Sequence, residues 1–109
     1  MAPENGLDMR IAVTDPGRTF GRQTRAYAEY RIFSTLARFS RVVHDVDVSL
    51  TSTSLTHGSK ALCVVVVTVG DGSRVQVRAR GRHAYDAINR AARRIGDALR
   101  SHTGIPLSS

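Results

Sequence analysis

Between Arg82 and Arg100 the chain carries five guanidinium groups, Arg82, Arg90, Arg93, Arg94 and Arg100, against only two carboxylates, Asp86 and Asp97. A guanidinium keeps its charge at any physiological pH and donates hydrogen bonds in pairs to phosphate or carboxylate oxygens, so an unneutralised row of them suits a polyanion. Their spacing sharpens the point. At ~3.6 residues per turn, Ala84, Ile88, Ala91, Ala92, Ile95 and Leu99 fall on one helical stripe, while Arg82, Asn89, Arg93 and Arg100 line the opposite side with Arg90 and Arg94 beside them. One face of the expected helix is core and the other an arginine comb. Arg22 and Arg25, at the start of an earlier helical segment, are the candidates to widen the phosphate-binding surface, and Arg31 and Arg38 on its flanks are weaker ones.

Other chemistry finds little support. His44, His57, His83 and His102 are scattered without metal-ligand spacing, and Cys63 has no second thiol to join it, so no metal and no cofactor is expected. Cys63 sits in the apolar run from Ala61 to Val67 and reads as a buried, inert thiol. The hydroxyl-rich stretch from Ser49 to Ser54 has no neighbouring His-acid pair to activate a nucleophile. Gly70-Asp71-Gly72 lacks the Gly-Lys-Ser/Thr ending of a phosphate loop. Binding, not catalysis, is the expected activity.

At 109 residues the chain is long enough for one core and too short for two. The formal net charge is +7, and Lys60 is the lone lysine among its 16 basic residues. A codon-biased genome explains a preference for arginine over lysine but not the net charge. No segment has the length of a membrane span, and the N-terminal residues lack the apolar core of a signal peptide, which points to a soluble cytoplasmic protein.

The elements that must hold the arginines follow from hydrophobic periodicity. Met9 to Thr14 alternates as a short strand, and Asp15-Pro16-Gly17 breaks it. From Gly21 to Phe39, Thr24, Ala28, Ile32, Thr35, Leu36 and Phe39 recur at helical spacing, with Tyr30 and Phe33 off the stripe centre. Val46, Val48 and Leu50 alternate with Asp45, Asp47 and Ser49 as a strand with one solvated face, followed by a polar loop from Thr51 to Ser59. The run from Ala61 to Val69 reads as a central strand covered on both faces for part of its length; Asp71-Gly72 turns the chain, and Val75, Val77 and Ala79 alternate with Arg74, Gln76, Arg78 and Arg80. The order is β-α-β-β-β-α: an α+β fold with a right-handed parallel crossover, then an antiparallel meander, and two helices packed on one face of a four-stranded sheet. Residues 1–8 form a flexible lead, 9–102 the single domain and 103–109 a tail.

That order, together with Gly81-Arg82-His83-Ala84-Tyr85-Asp86-Ala87-Ile88-Asn89 opening the last helix, resembles the bacterial family of ribosome hibernation-promoting factors and ribosome-associated inhibitors. The family has a Gly, two mostly acidic residues, an apolar residue, a Tyr and then Ala-Ile-Asp leading into a basic helix; Gly81, Tyr85, Ala87 and Ile88 match. Arg25-Ala26-Tyr27-Ala28-Glu29 looks like the start of the family's first helix, and Phe39 before Val46-Asp47-Val48-Ser49-Leu50 like its helix-to-strand transition. The resemblance implies an RNA-binding domain, here in a short form, that occupies the messenger and transfer RNA channel of the small ribosomal subunit and inhibits translation under stress. There are departures: Arg82 and His83 stand where acids are common, Asn89 and Arg93 replace frequent aspartates, and Asp15-Pro16-Gly17-Arg18 replaces a Gly-Arg/Lys-His/Asn type of turn. Most of them make the chain more cationic.

Three rival readings keep the same elements. An acidic protein partner also fits a cationic face. A membrane-surface helix fits less well, since the apolar stripe is alanine-rich and lacks Trp and Phe. A double-stranded-RNA-binding domain lacks its usual Lys-Lys-rich helix start here. Finally, acids on the second strand and arginines on the fourth flank the apolar third strand on the outer face of the sheet. That pattern is self-complementary under a two-fold axis, which points to a homodimer through the outer face, with either Leu62, Val64 and Val66 or Ala61, Cys63, Val65 and Val67 at its centre; the alternative is a monomer whose lead, Met1 to Asp8, or long loop folds over the stripe.

Overall fold

The computed structural model describes residues 9–55 and 58–104, with 53–55 and 58–60 described by their backbone alone. The expected lead at 1–8, His57 and residues 105–109 of the expected tail lie outside the described residues. Four strands, β1 (Arg10–Thr14), β2 (Val43–Leu55), β3 (Gly58–Val69) and β4 (Arg74–Gly81), and two helices, α1 (Gly21–Leu36) and α2 (Ala84–Thr103), run in the order β-α-β-β-β-α. The sheet order is β1-β2-β3-β4, with β1 parallel to β2 and the remaining pairs antiparallel. The expected α+β fold is the observed one.

Alternation decides which side of the sheet is core. Val46, Val48 and Leu50 of β2, Ala61, Cys63, Val65 and Val67 of β3, and Ala79 of β4 are buried beneath Ala28, Ile32 and Leu36 of α1 and the Ala84-Ala87-Ile88-Ala91-Ala92-Ile95-Leu99 stripe of α2. Both helices therefore cover one face. Cover of β3 is unequal: Ala61, Cys63, Val65 and Val67 on the inner face are buried, while Leu62, Val64 and Val66 on the outer face are only partly buried among the described residues. The register places Asp45 and Asp47 in the neighbouring column on β2, and Arg74, Gln76, Arg78 and Arg80 in the column on β4.

The hairpin between β2 and β3 is longer than the sequence suggests. Thr51 to Leu55 and Gly58 to Lys60 pair as ladder rather than forming the expected polar loop. Toward the other end of β2 a register shift between Val43 and Asp45 inserts His44, a bulge that lets the strand start earlier than Val46. The first helix ends at Leu36, and Ala37–Phe39 continue as one 3₁₀ turn that drives Phe39 into the core.

Between β3 and β4 the Gly72 N–H donates to the Val69 carbonyl at 2.8 Å, and Gly72 adopts φ +89°, a region that favours glycine. Gly81 is required for a different reason. A Cβ there would stand 2.6 Å from both the Ala87 nitrogen and the Asp86 Cβ, so the first turn of α2 rests directly on the end of β4. Gly81→Ala is expected to lower stability by about 1–3 kcal/mol, the usual cost of overpacking against backbone that has no room to give. Urea unfolding that leaves the midpoint unchanged would show the contact to be compliant.

Candidate nucleic-acid interface

The cationic side chains owe their positions to α2, whose alanine-rich stripe seats it close to β3 and β4. His83 in extended conformation precedes the helix, Asp86 lies in its first turn, and Arg100 and His102 lie in its last, where cations favour the helix dipole. Gly104, at φ 78°, closes the C-terminus through its N–H to the Arg100 carbonyl at 2.8 Å.

The expected comb divides in two. Arg93 and Arg100 are exposed on the outer side of α2. Arg90 and Arg94 turn instead toward the sheet edge, where Arg90 Nη1 donates to the Arg80 carbonyl at 3.2 Å and Arg94 Nη1 to the Arg78 carbonyl. Arg82 is exposed but lies in the turn before α2 and not on the helix, because the chain must leave β4 at Gly81 before it can wind. Asn89 is not part of the outer row either. Its Oδ1 accepts from the Tyr27 hydroxyl at 2.7 Å and from Arg31 Nε at 3.1 Å, which ties α2 to α1. Tyr85 packs edge-on against Tyr27 with centroids 4.7 Å apart and keeps 45% of its surface exposed, while Tyr30 is 67% exposed on α1.

Between the helices runs an open groove of about 410 Å³, lined by Arg31, Ser34, Thr35 and Arg38 on one side and Ala92, Arg93, Gly96 and Asp97 on the other. Gly96 and Ala92 keep its floor low. Arg31 is held in place, since its Nη1 also donates to Thr35 Oγ1 at 2.7 Å. The two flank arginines that the sequence ranks as weaker, Arg31 and Arg38, thus face the same groove as Arg93.

The first-helix candidates separate as well. Arg22 is exposed. Arg25 stands 4.0 Å from Asp15, whose side chain is 1% exposed. Phe20, the N-cap of α1, offers no side-chain cap, and Asp15 replaces it by accepting from the N–H groups of Thr19 at 3.0 Å, Phe20 at 2.8 Å and Gly21 at 3.3 Å. Burial alone would raise the Asp15 carboxyl; the N–H groups of Phe20, Thr19 and Gly21, with the nearby Arg25 guanidinium, outweigh it and hold its pKa below the ordinary 3.8. Arg25 is therefore tied to the start of α1 rather than standing free on the surface.

Nucleophilic chemistry gains no support from the one thiol, because Cys63 is fully buried and its pKa is pushed up to about 12 by that burial. Among the described residues no three His, Cys, Asp or Glu side chains cluster as metal ligands, and no helix is long and apolar enough to cross a membrane. By contrast, Arg25 makes the one arginine-carboxylate contact within 4.0 Å among the described residues, so none of the α2 arginines is paired that closely with a described acid.

Residues 11–104 match the sequence model of a family described as Sigma 54 modulation protein / S30EA ribosomal protein. Among solved structures, a ribosomal subunit interface protein from Coxiella burnetii superposes with a TM-score of 0.72 at 15% identity, over 89% of this chain and 100% of that one. The N-terminal domain of Protein Y from Thermus thermophilus superposes with a TM-score of 0.60 at 22% identity, over 86% of this chain and 94% of that one. At these identities the structural likeness establishes a shared fold. A search of curated proteins returns no match.

Because the folded-state pKa of Asp15 lies below the unfolded value, its contribution is complete above a pH of about 4 and disappears as pH falls through the lower, folded value. Asp15→Asn is expected to lower the melting temperature at neutral pH and to make it fall less steeply with acid than in the wild type. Parallel melting curves from pH 7 to pH 2 would take Asp15 out of the helix start.

Proposed function

The chain belongs to the Sigma 54 modulation protein / S30EA ribosomal protein family, and from that premise we propose that it is a ribosome-associated hibernation factor. In this reading it docks on the small ribosomal subunit, contacts ribosomal RNA through its helical face, and inhibits translation reversibly in the cytoplasm without catalysis or cofactor. The observation that carries the reading is the interhelical groove, in which Arg31, Arg38 and Arg93 face one another with Asp97 as the sole acid among its lining residues. Three guanidinium groups on an open groove offer paired donors to phosphate oxygens, and a cationic partner would meet repulsion there.

Arg22, Arg82 and Arg100 extend the cationic field as exposed side chains with no carboxylate within 4.0 Å among the described residues. Arg25 acts by holding the start of α1 against Asp15. Tyr30 and Tyr85, exposed on the two helices, offer aromatic surface on which unpaired bases can stack, a mode that single-stranded ribosomal segments allow and duplexes do not.

The test is co-sedimentation of the purified chain with small subunits and vacant ribosomes across a salt series. Binding should weaken as salt rises, with a log-log slope of about −0.7 per phosphate contact on single strands and about −0.9 on duplex. The double variant Arg93→Glu, Arg100→Glu should lose binding at least tenfold while its unfolding free energy stays within about 0.5 kcal/mol of wild type, as is usual for exposed positions. Protein that remains in the supernatant at low salt overturns the ribosomal reading, and retention of an acidic protein from nuclease-treated lysate, with no affinity for RNA, would replace it.

A further inference from the structure

Arg90 and Arg94 meet two other arginines at the edge of β4. An open recess of about 260 Å³ is lined by Leu62, Arg78, Ala79, Arg80, Arg90 and Arg94. Four of its six lining residues are cationic, and none has a carboxylate within 4.0 Å among the described residues. Like charges gathered this closely repel one another unless an anion stands among them. Two of them are also fixed in place: Arg90 and Arg94 each spend one N–H on a carbonyl of β4, which restrains a side chain whose immobilisation otherwise opposes binding.

We propose that this recess is a second phosphate-binding site, which holds a nucleic-acid backbone along the edge of β4 on the opposite flank of α2 from the interhelical groove. The inference rests on the RNA-binding reading above and deepens it, since it adds Arg78 and Arg80 to the interface and makes α2 a wedge between two backbone segments. A chain of phosphates fits better than a single ion. Arg78 and Arg80 are separated along the strand by ~6.6 Å, two residues at about 3.3 Å each, and Arg90 and Arg94 along the helix by ~6 Å, four residues at 1.5 Å each. The two rows thus repeat in step. β4 is an edge strand, and in an antiparallel strand the N–H and C=O of one residue face the same side. The Arg78 and Arg80 carbonyls engaged by α2 therefore place their own N–H groups on that free edge as further donors to phosphate oxygen.

Calorimetric titration of the full chain with a ten-nucleotide oligouridylate tests this. The wild type should bind two oligonucleotides per chain. Arg78→Glu, Arg80→Glu should bind one, as should Arg93→Glu, Arg100→Glu, and the four changes together should bind none. Vacant-ribosome affinity of the Arg78, Arg80 variant should fall at least tenfold, and its salt slope by about 0.7 for each contact removed on a single strand. If these reversals unfold the chain, Arg78→Gln, Arg80→Gln and protection of both residues from phenylglyoxal by the oligonucleotide give the same readout. Full RNA binding by a folded Arg78, Arg80 variant, with binding lost in the Arg93, Arg100 variant, overturns the second site alone. Failure of the wild type to bind either the oligonucleotide or ribosomes overturns the RNA reading and this site with it. A dimeric mass in light scattering that becomes monomeric on changing Arg78 and Arg80, with oligonucleotide stoichiometry unaltered, assigns the patch to self-association and also overturns it.

Discussion

The seat of α2 on the sheet is set by an absent side chain: with Gly81 ending β4, the helix starts where a Cβ would lie 2.6 Å from the Ala87 nitrogen. Ala84, Ala87, Ala91 and Ala92 keep that closeness along the helix, since small side chains bring the backbone nearer to the strands than leucines would. Two consequences follow for the cations. Guanidinium groups on the sheet side of α2 come within reach of the β4 carbonyls, and those on the other side look across a low floor toward α1. A helix held farther from β4 would present its arginines as one solvent-exposed row.

Seated in this way, α2 concentrates positive charge that the fold does not use. Surface charges more than ~8 Å apart are largely screened at physiological ionic strength, but arginines one helical turn or two strand residues apart are not. Their mutual repulsion must be offset by the apolar core beneath, where twenty-one buried hydrophobic residues among those described form one cluster. The division of labour is clear in the burial: Asp15, spent on the start of α1, is the one charged residue buried among those described. An anion bound among these arginines would relieve repulsion of this kind.

The fold was legible in the sequence where an element obeys its period, as α2 and β2 do; the near-continuous apolar run of β3 and the weakly amphipathic α1 carry less of that signal. Ala84 to Leu99 could be placed on a helical stripe, and Val46, Val48 and Leu50 on one side of a strand, before any tertiary contact was known. The hairpin arm was not legible for the complementary reason. Thr51 to Ser54 offers only hydroxyl side chains, and the ladder that holds this stretch is backbone, which leaves no mark on hydropathy; the β-branched Thr51 and Thr53 were the available sign. In the candidate interface, the wheel gave each arginine an angle around α2 but not what lies beside the helix at that angle. A helical wheel therefore sets Arg90 and Arg94 beside the comb, whereas in the structure they reach the β4 edge. Arg78 and Arg80 were placed correctly on the outer face, yet their meeting with α2 depends on β4 being an edge strand, which follows from topology and not from alternation.

The departures from the family pattern at Asn89 and Arg93 gain a physical meaning from this geometry. Both positions adjoin the interhelical groove, one tied to Arg31 and the other lining the groove with it. An aspartate at 89 would accept the same hydrogen bonds from Tyr27 and Arg31 with little change of shape, but as a carboxylate it would pair with Arg31 and cancel its charge. The amide keeps the tether and leaves the guanidinium cationic. At 93 the effect is larger, since arginine in place of aspartate reverses a charge on the groove wall rather than removing one. Asn89 thus ties α1 to α2 without adding negative charge, and Arg93 adds positive charge to the wall of the groove between them.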